Sequence, residues 1–206
     1  MCTRYFVEKQ FEQMNRYILD AEESPLFQRF VDNGITKLSS GEIRPTDAVP
    51  VIASDRRGKP SVFPMKWGFR IPSRQLIVNA RVETAMVKPS FRDSWKEHRC
   101  IIPASYYFEW KHFKDPEGKI ITGAKCAIHP DSDNMLWMCG LYRIEDGLPV
   151  FVVLTKEATN AVVSIHDRMP VMLSEKDINR WISPGITAES MLDNIVDKVT
   201  VSELTQ

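Results

Sequence analysis

The stretch CIIPASYYFEW, residues 100–110, decides the fold class of this sequence. It is rich in β-branched and aromatic residues, which favour strands, and six further runs share that composition. These runs are AVPVIAS (48–54), SVFPMKW (61–67), QLIVNA (75–80), AKCAI (124–128), MLWMCGLY (135–142) and PVFVVLT (149–155). Seven short strands punctuated by Pro and Gly predict a mainly antiparallel, barrel-like β core.

Helical patterns flank these strands. Residues 8–20 carry apolar side chains at helical spacing and predict an amphipathic helix. We also expect short helices at 83–88 and 157–165, and one at 174–182 with Ser174 as its N-cap. With 206 residues, the chain is long enough for one sizeable core. The pattern therefore predicts an α+β fold in which residues 1–206 form a single domain.

Composition narrows the function classes. The chain is 43% hydrophobic and 26% charged, which excludes disorder, coiled coil and fibre. Its 27 basic and 27 acidic side chains sum to zero, which argues against binding nucleic acid by bulk attraction alone. One acid-free basic run interrupts this balance, and either a solvated face or an anionic ligand explains it. Its members are Arg56, Arg57, Lys59, Lys66, Arg70, Arg74 and Arg81.

The cysteines predict no metal site and no structural disulfides. Cys2, Cys100, Cys126 and Cys139 include no C-x-x-C pair, and no histidine accompanies them at metal-ligand spacing. The sequence begins without the features of a secretory signal, and no apolar run approaches the roughly 20 residues of a membrane span. We expect a cytoplasmic monomer that needs no cofactor and does not contact a membrane.

Cys2 is the most unusual position for chemistry. Removal of the initiator Met1 would leave an α-amino group beside a thiol, which is a 1,2-aminothiol. The amine and the thiol have ordinary pKa values near ~8 and ~8.5, so small shifts activate them. Such an amine attacks an aldehyde to give a Schiff base, and the thiol then closes a thiazolidine ring. The alternative is an incidental cysteine at a frayed terminus.

Four further residues place polar groups in β-rich surroundings. Asn79 ends an apolar run and offers hydrogen bonds, while Arg81 points to the same face and offers an anion clamp. Glu109 lies in an aromatic run, where desolvation raises a carboxyl pKa and suits it to proton transfer. His166 offers an acid or a base. The alternatives are a strand cap with a surface arginine, a salt-bridged carboxylate and a structural histidine.

Taken together, these segments resemble the SOS response-associated peptidase (SRAP) family along nearly the whole chain. The matching motifs are MCTRY (1–5), RPTDAVPVI (44–52), KWGFR (66–70), VNARVET (78–84), the RCIIP and YYFEW segments (99–110), MCGLY (138–142), VFVVLTKEA (150–158) and HDRMPVML (166–173). The resemblance implies covalent capture of abasic sites in single-stranded DNA through the N-terminal cysteine, which shields the lesion.

The resemblance also implies roles for individual residues. Cys2 would be the nucleophile, Asn79 would orient it and the opened sugar, Glu109 would move protons, and His166 would assist ring opening and reversal. The implied DNA contacts are phosphate binding by Arg4, Arg81 and Arg168, a wedge formed by Trp67 with Gly68 and Phe69, and positions near the DNA path at Pro45 and Thr155.

The sequence departs from the SRAP pattern at three positions, which are Thr3 after the cysteine, Glu42 in place of an asparagine and Tyr106 in place of a glycine. Two rival functions stay open. One is an N-terminal-nucleophile cysteine peptidase or amidase, in which the Cys2 amine is the base. The other is a noncatalytic single-stranded DNA-binding module built on Trp67 and the basic run.

Overall fold

A computed structural model describes residues 2–71, 75–131 and 135–204 of the chain. The strands are β1 Tyr5–Val7, β2 Gly41–Ile43, β3 Ala48–Ser54, β4 Pro60–Trp67, β5 Phe69–Arg70, β6 Leu76–Ile77, β7 Asn79–Arg81, β8 Arg99–Ala104, β9 Tyr106–Lys114, β10 Ile120–Pro130, β11 Leu136–Glu145, β12 Leu148–Glu157, β13 Arg168–Pro170, β14 Met172–Leu173 and β15 Val199–Glu203. The α-helices are α1 Glu12–Glu22, α2 Phe27–Asp32, α3 Val82–Ala85, α4 Arg92–Glu97 and α5 Ile178–Ile182, and short 3₁₀ helices span Asn160–Val162, Glu175–Asp177 and Glu189–Asn194.

Five strands close into a barrel. The order β4-β3-β8-β11-β12 is antiparallel throughout, and a parallel pairing of β12 with β4 completes the ring. A tight turn at Asp146 and Gly147, both with positive φ, joins β11 to β12, as the Asp-Gly sequence favours. Strand β12 has neighbours along both edges, and its side chains from 149 to 155 are all buried, so both of its faces are covered.

A second sheet of order β15-β10-β9-β1-β2 starts where the chain leaves the barrel at Ser105. The N–H of Ser105 donates to the carbonyl of Phe6 at 2.8 Å, and its hydroxyl accepts a hydrogen bond from the N–H of Glu8 at 2.9 Å. Residues 100–110 are therefore two strands in two sheets, joined at a corner that also anchors β1. The α+β class and the barrel-like core are confirmed.

Most sequence-predicted elements are present. The seven predicted strand runs all lie in strands, and α1 overlaps the helix predicted for residues 8–20. The helix predicted for 157–165 is wrong, because Glu157 still pairs with Arg168 and Asn160 adopts a left-handed φ of 53°. Ser174 does begin the last predicted helix, although its hydroxyl donates to the side chain of Asp177 at 2.8 Å.

The packing of the barrel predicts that alanine at two glycine positions changes the free energy of unfolding by very different amounts. A Cβ at Gly140 on β11 would lie 2.4 Å from Cδ1 of Ile102 and 2.8 Å from the carbonyl oxygen of Val152. Since that backbone oxygen belongs to a paired strand, we expect Gly140→Ala to lower the free energy of unfolding by about 1–3 kcal/mol. The matched control is Gly185→Ala, where the nearest atom lies at 3.9 Å. Urea denaturation tests this, and equal midpoints for the two variants would contradict it.

Candidate active site

Strand β1 carries the N-terminal segment onto β9. Tyr5 pairs with Tyr107, and the carbonyl of Arg4 accepts a hydrogen bond from the N–H of Phe108 at 2.9 Å. Because the strands run antiparallel, the residues before Arg4 extend in the direction of Glu109. The corner at Ser105 thus determines which part of the molecule the first residues reach.

Cys2 is fully buried in this arrangement. Its thiol donates to the carbonyl of Arg4, with 3.6 Å between the two heavy atoms. Burial raises the pKa of this thiol well above its usual range, and the charge of Glu109 adds to the increase. The thiol is therefore neutral at pH 7. It lies close enough to Glu109 for the charge of that carboxylate to disfavour ionisation of the thiol.

Asn79 holds the same segment from the barrel side. It begins β7, which pairs in parallel with β12, so that Asn79 lies opposite Val153. Its side-chain Nδ2 donates to the carbonyl of Cys2 at 2.8 Å. Its Oδ1 is buried and has no hydrogen-bond partner within residues 2–71, 75–131 and 135–204. One end of this amide thus fixes the cysteine, and the other end offers an acceptor for a ligand.

Glu109 on β9 has the properties that its aromatic surroundings predict. The residue is buried, and burial raises the pKa of its carboxyl to about 7, with a smaller contribution from the charge of Asp167. A carboxyl group that titrates near neutrality exchanges protons in both directions at physiological pH. The predicted increase in pKa is confirmed.

His166 precedes β13 and faces the same region. Its Nδ1 accepts a hydrogen bond from the N–H of Arg168 at 2.9 Å. The carboxylate of Asp167 lies 2.7 Å from the same nitrogen and favours protonation, but it is 80% exposed and screened by solvent. Desolvation has the larger effect and lowers the pKa of the imidazole. Asp167 raises the pKa of both Glu109 and His166, which indicates that these two groups border one site.

The guanidinium groups of Arg81 and Arg168 differ in how accessible they are to a phosphate. Arg81 is exposed at the end of β7, opposite Thr155 on β12, and its role as a phosphate ligand stays a prediction. Arg168 is only 6% exposed, and its guanidinium donates to both oxygens of Glu83 at 2.8 and 2.9 Å and to the carbonyl of Thr155 at 2.6 Å. Both terminal nitrogens of Arg168 are thus used inside the protein, while its Nε is buried and has no hydrogen-bond partner among the described residues. Phosphate contact by Arg168 stays a prediction.

Thr155 is fully buried as well, and its hydroxyl lies 3.5 Å from the carbonyl of Ala80. Thr155, which the resemblance places near the DNA path, therefore exposes no side-chain atom at the surface. Thr155 instead accepts Arg168 through its carbonyl and helps to fix β13 against β12.

The predicted wedge is part of the core. Trp67 is fully buried, stacks on Phe151 with centroids 6.1 Å apart, and donates through Nε1 to the carbonyl of Val78 at 2.9 Å. An indole without an exposed face cannot stack on a base, so the wedge role of Trp67 is wrong for this conformation. The DNA-binding module built on Trp67 loses its basis for the same reason.

The two residues after Trp67 are also internal. Gly68 has a φ of 118°, and its N–H donates to the carbonyl of Phe151 at 2.7 Å. Phe69 is fully buried against Phe91, and the guanidinium of Arg143 lies 4.2 Å from its ring centroid. Neither residue presents a side chain to a DNA strand.

The basic run from Arg56 to Arg81 does not form one patch. Arg56 and Arg57 lie in the turn between β3 and β4, whereas Arg81 lies beside Thr155 at the far end of β12. The strand pairings separate these ends by roughly 35 Å. Arg70 binds Asp146 at 2.8 Å, and Arg74 lies outside the described residues. The solvated-face interpretation therefore fits this run better than a single anion site.

Arg4 and Pro45 lie near the site on the other side. The guanidinium of Arg4 binds the carboxylate of Glu42 at 2.7 Å and is about one third exposed. Pro45 is half-buried in the turn between β2 and β3. Contacts of both residues with DNA stay predictions.

Two buried phenols escaped the sequence reasoning. Tyr5 and Tyr107 are cross-strand partners and fully buried, and within the described part of the chain neither hydroxyl has a hydrogen-bond partner. Burial raises the pKa of both phenols, and the charge of Cys2 contributes to each increase. Both therefore line the Cys2 site as neutral donors. The alternation of Tyr107 with Glu109 along β9 is the signal that would have revealed one of them.

The described ranges contain no cluster of three His, Cys, Asp or Glu side chains able to hold a metal ion. A helix long and apolar enough to cross a bilayer is likewise not found in these ranges.

Comparison with known proteins identifies the family of this chain. The family model described as "SOS response associated peptidase (SRAP)" matches residues 1–206. The chain belongs to the SRAP family. The predicted family is thus confirmed, whereas the residue roles implied by the resemblance stay predictions.

Curated relatives carry a more specific name. The abasic site processing protein YoqW of Bacillus subtilis is 28% identical, over 99% of this chain and 90% of that protein. YobE of the same organism, an abasic site processing protein, is 31% identical over 76% of this chain and 74% of its own length. The abasic site processing protein YedK of Escherichia coli is 26% identical over 68% of this SRAP chain.

Solved structures share the fold. A protein from Bacteroides thetaiotaomicron aligns with 100% of this chain and 93% of its own, with a TM-score of 0.75 and 20% identity. A phage-related protein from Bordetella bronchiseptica aligns with a TM-score of 0.72 and 19% identity, over 100% and 95% of the two chains. These structures support the architecture of the SRAP domain alone.

The pKa of Glu109 predicts a pH-dependent stability. A carboxyl with an ordinary pKa of 4.5 and a folded-state pKa of about 7 keeps its proton in the folded protein after the unfolded chain has lost it. The free energy of unfolding therefore falls as pH rises from about 4.5 to 7, by up to about 3 kcal/mol. Glu109→Gln removes this fall, so we expect the variant to be more stable than the wild type above pH 7.

Urea denaturation between pH 4.5 and 8.5 measures this difference. Glu117→Gln, in the exposed turn between β9 and β10, is the matched control and should track the wild type at every pH. If the stability difference between Glu109→Gln and the wild type does not vary with pH, the buried titration of Glu109 is excluded.

Proposed function

We propose that this SRAP protein captures abasic sites in single-stranded DNA through a thiazolidine on the processed Cys2. The observation that carries the proposal is the hydrogen bond from Asn79 to the Cys2 carbonyl at 2.8 Å, beside a carboxyl, Glu109, whose pKa is about 7. The names of the curated relatives, which are abasic site processing proteins, support the same substrate class. The product shields the lesion from cleavage and from error-prone copying.

The chemistry begins with removal of Met1, which lies outside the described residues. The free amine of Cys2 attacks the aldehyde carbon of the ring-opened sugar, and loss of one water gives an imine. The thiol then gives up its proton as the sulfur bonds to the carbon of the protonated imine, whose nitrogen keeps its hydrogen. One aldehyde and one aminothiol thus give one thiazolidine and one water, with no oxidant or cofactor required.

Burial of the thiol supports this order of steps. The raised pKa of Cys2 keeps the sulfur protonated at neutral pH, so the amine is the first nucleophile and the thiol adds afterwards. Glu109 suits the proton transfers, because a group with a pKa of about 7 protonates the leaving hydroxyl and then accepts the thiol proton.

Asn79 and His166 act as orienting and proton-carrying groups in this proposal. The Oδ1 of Asn79 is buried and available as an acceptor for a hydroxyl of the opened sugar, while its Nδ2 holds Cys2. His166 is neutral near pH 7 because desolvation lowers its pKa, which suits it to accept a proton during opening of the sugar ring. Reversal of the adduct uses the same groups in the opposite direction.

The rival peptidase function uses the same cysteine. The family description contains the word peptidase, and in that function the Cys2 sulfur attacks a peptide carbonyl. A fully buried thiol with a raised pKa is a poor nucleophile for such a step. Removal of its own Met1 is a single event and needs no turnover of added peptides. Steady turnover of added peptides by processed protein, without an adduct on abasic DNA, would favour the peptidase.

The covalent step predicts a specific effect of Cys2→Ala. Processed wild-type protein mixed with single-stranded DNA containing one abasic site should give an adduct that survives denaturing electrophoresis, and Cys2→Ala should give none. The matched control is Cys139→Ala, which removes a buried thiol of the barrel and should retain the adduct. No adduct from the processed wild type, or an equal adduct from Cys2→Ala, would refute thiazolidine capture.

Arg81 predicts an electrostatic effect on the same reaction. As an exposed cation at the end of β7, it is placed to contact a phosphate next to the lesion. We expect Arg81→Ala to weaken binding and to reduce the slope of log affinity against log salt by about 0.7, the contribution of one phosphate on a single strand. Arg56→Ala, in the distant turn between β3 and β4, is the control. Identical salt slopes for the two variants would exclude this contact.

A further inference from the structure

The second sheet has a side that faces away from the barrel and that the proposed chemistry does not use. Successive residues of a strand point to opposite sides. Tyr5, Tyr107 and Glu109 are buried on the barrel side, so their sequence neighbours point outward. We name this side the outer face. Its members are Arg4, Phe6, Glu42, Tyr106, Phe108, Trp110, Lys125 and His129.

Aromatic rings form a continuous row on the outer face. The rings of Phe6 and Tyr106 stack with centroids 4.9 Å apart and an interplanar angle of 6°, and His129 follows at 4.7 Å from Tyr106. Phe108 meets both stacked rings edge-on. Phe6, Tyr106 and Trp110 are each half-buried, and the Tyr106 ring lies between those of Phe6 and His129, so it supports the row rather than offering a free face. Half-exposed aromatic rings on a sheet are what single-stranded nucleic acid uses for base stacking.

Three cations converge beside this row on one carboxylate. Glu42 lies 2.7 Å from Arg4, 2.5 Å from Lys125 and 3.7 Å from Arg44. The Nζ of Lys125 also lies 3.7 Å from the ring centroid of Phe108. Three positive groups thus share the Glu42 carboxylate. The arrangement matches an anion site in which Glu42 occupies the place of a phosphate.

Glu42 and Tyr106 are both register partners of Phe6, one on each side of it. Tyr106 supplies the central ring of the row, and Glu42 supplies the carboxylate that holds the cations. The aromatic row and the cations therefore lie next to each other on the outer face.

We propose that the outer face binds undamaged single-stranded DNA next to the lesion, with bases on the Phe6–Tyr106 row and phosphates replacing Glu42 at Arg4, Arg44 and Lys125. The face adjoins the candidate site, because the carbonyl of Arg4 accepts the Cys2 thiol. The choice of ligand class rests on the proposed function. Lys125, Arg44 and the aromatic row are contacts beyond that function.

The first test removes the competing carboxylate. Fluorescence anisotropy measures binding of a labelled single strand without an abasic site to the Cys2→Ala protein, so that no covalent step contributes. Adding Glu42→Gln should tighten binding roughly fivefold at about 50 mM salt and steepen the salt dependence, as one more phosphate contact would. The matched control is Glu203→Gln, since Glu203 pairs with Lys111 in the same sheet. A gain in affinity cannot come from misfolding.

The second test removes the central ring. In the same Cys2→Ala background, Tyr106→Ala should weaken binding about fivefold or more, which is the lower end of what one base stack supplies. Tyr106→Phe keeps the ring and should bind normally. Phe113→Ala removes an exposed ring at the far end of β9 and is the matched control.

Each outcome decides the proposal. Tighter binding by Glu42→Gln together with weaker binding by Tyr106→Ala supports it. Either variant behaving like its control overturns it, as does an absence of binding to undamaged strands. These results are distinguishable from failure of the proposed function, because adduct formation on abasic DNA is measured separately with Cys2 intact.

Discussion

The corner at Ser105 is the constraint on which the remaining structure depends. At this residue the chain leaves the closed barrel and enters the second sheet, and its N–H and hydroxyl bind the backbone of Phe6 and Glu8. These two hydrogen bonds fix β1 on β9, and the antiparallel register then carries Cys2 to the barrel edge, where Asn79 binds it. A short terminal segment, ordinarily prone to fraying, is thereby held at both ends.

Burial supplies both the stability of this region and its chemistry. Desolvation is the main cause of the raised pKa of Cys2 and Glu109 and of the lowered pKa of His166. All three shifts favour the neutral form, and the Glu109 carboxyl, with a pKa of about 7, is the group that exchanges protons near neutrality. The cost is a thiol that is unreactive until an electrophile lies beside it, which limits side reactions of the cysteine with other compounds.

The sequence predicts the fold better than the surface of the site. The strand runs are local patterns, and they are present where the residues indicate. Trp67 shows the limit, because an aromatic residue in a strand suits a core and a stacking surface equally well, and only packing on Phe151 decides between them. The helix expected at 157–165 failed for a similar reason, since the pairing of Glu157 with Arg168 overrides local helical spacing.

The ion pairs show how the basic and acidic side chains that sum to zero net charge are arranged in the structure. Arg4 and Arg168, two of the cations implied to meet phosphates, each bind a carboxylate, Glu42 and Glu83. A phosphate that binds Arg4 therefore has to displace the Glu42 carboxylate. The ion pair gained with DNA then replaces an ion pair lost inside the protein, so the net change in free energy is small. Arg81 has no carboxylate within 4 Å among the residues described. Under the two proposals, an intact strand on the outer face would be held reversibly, and a covalent bond at Cys2 would determine which strands are retained.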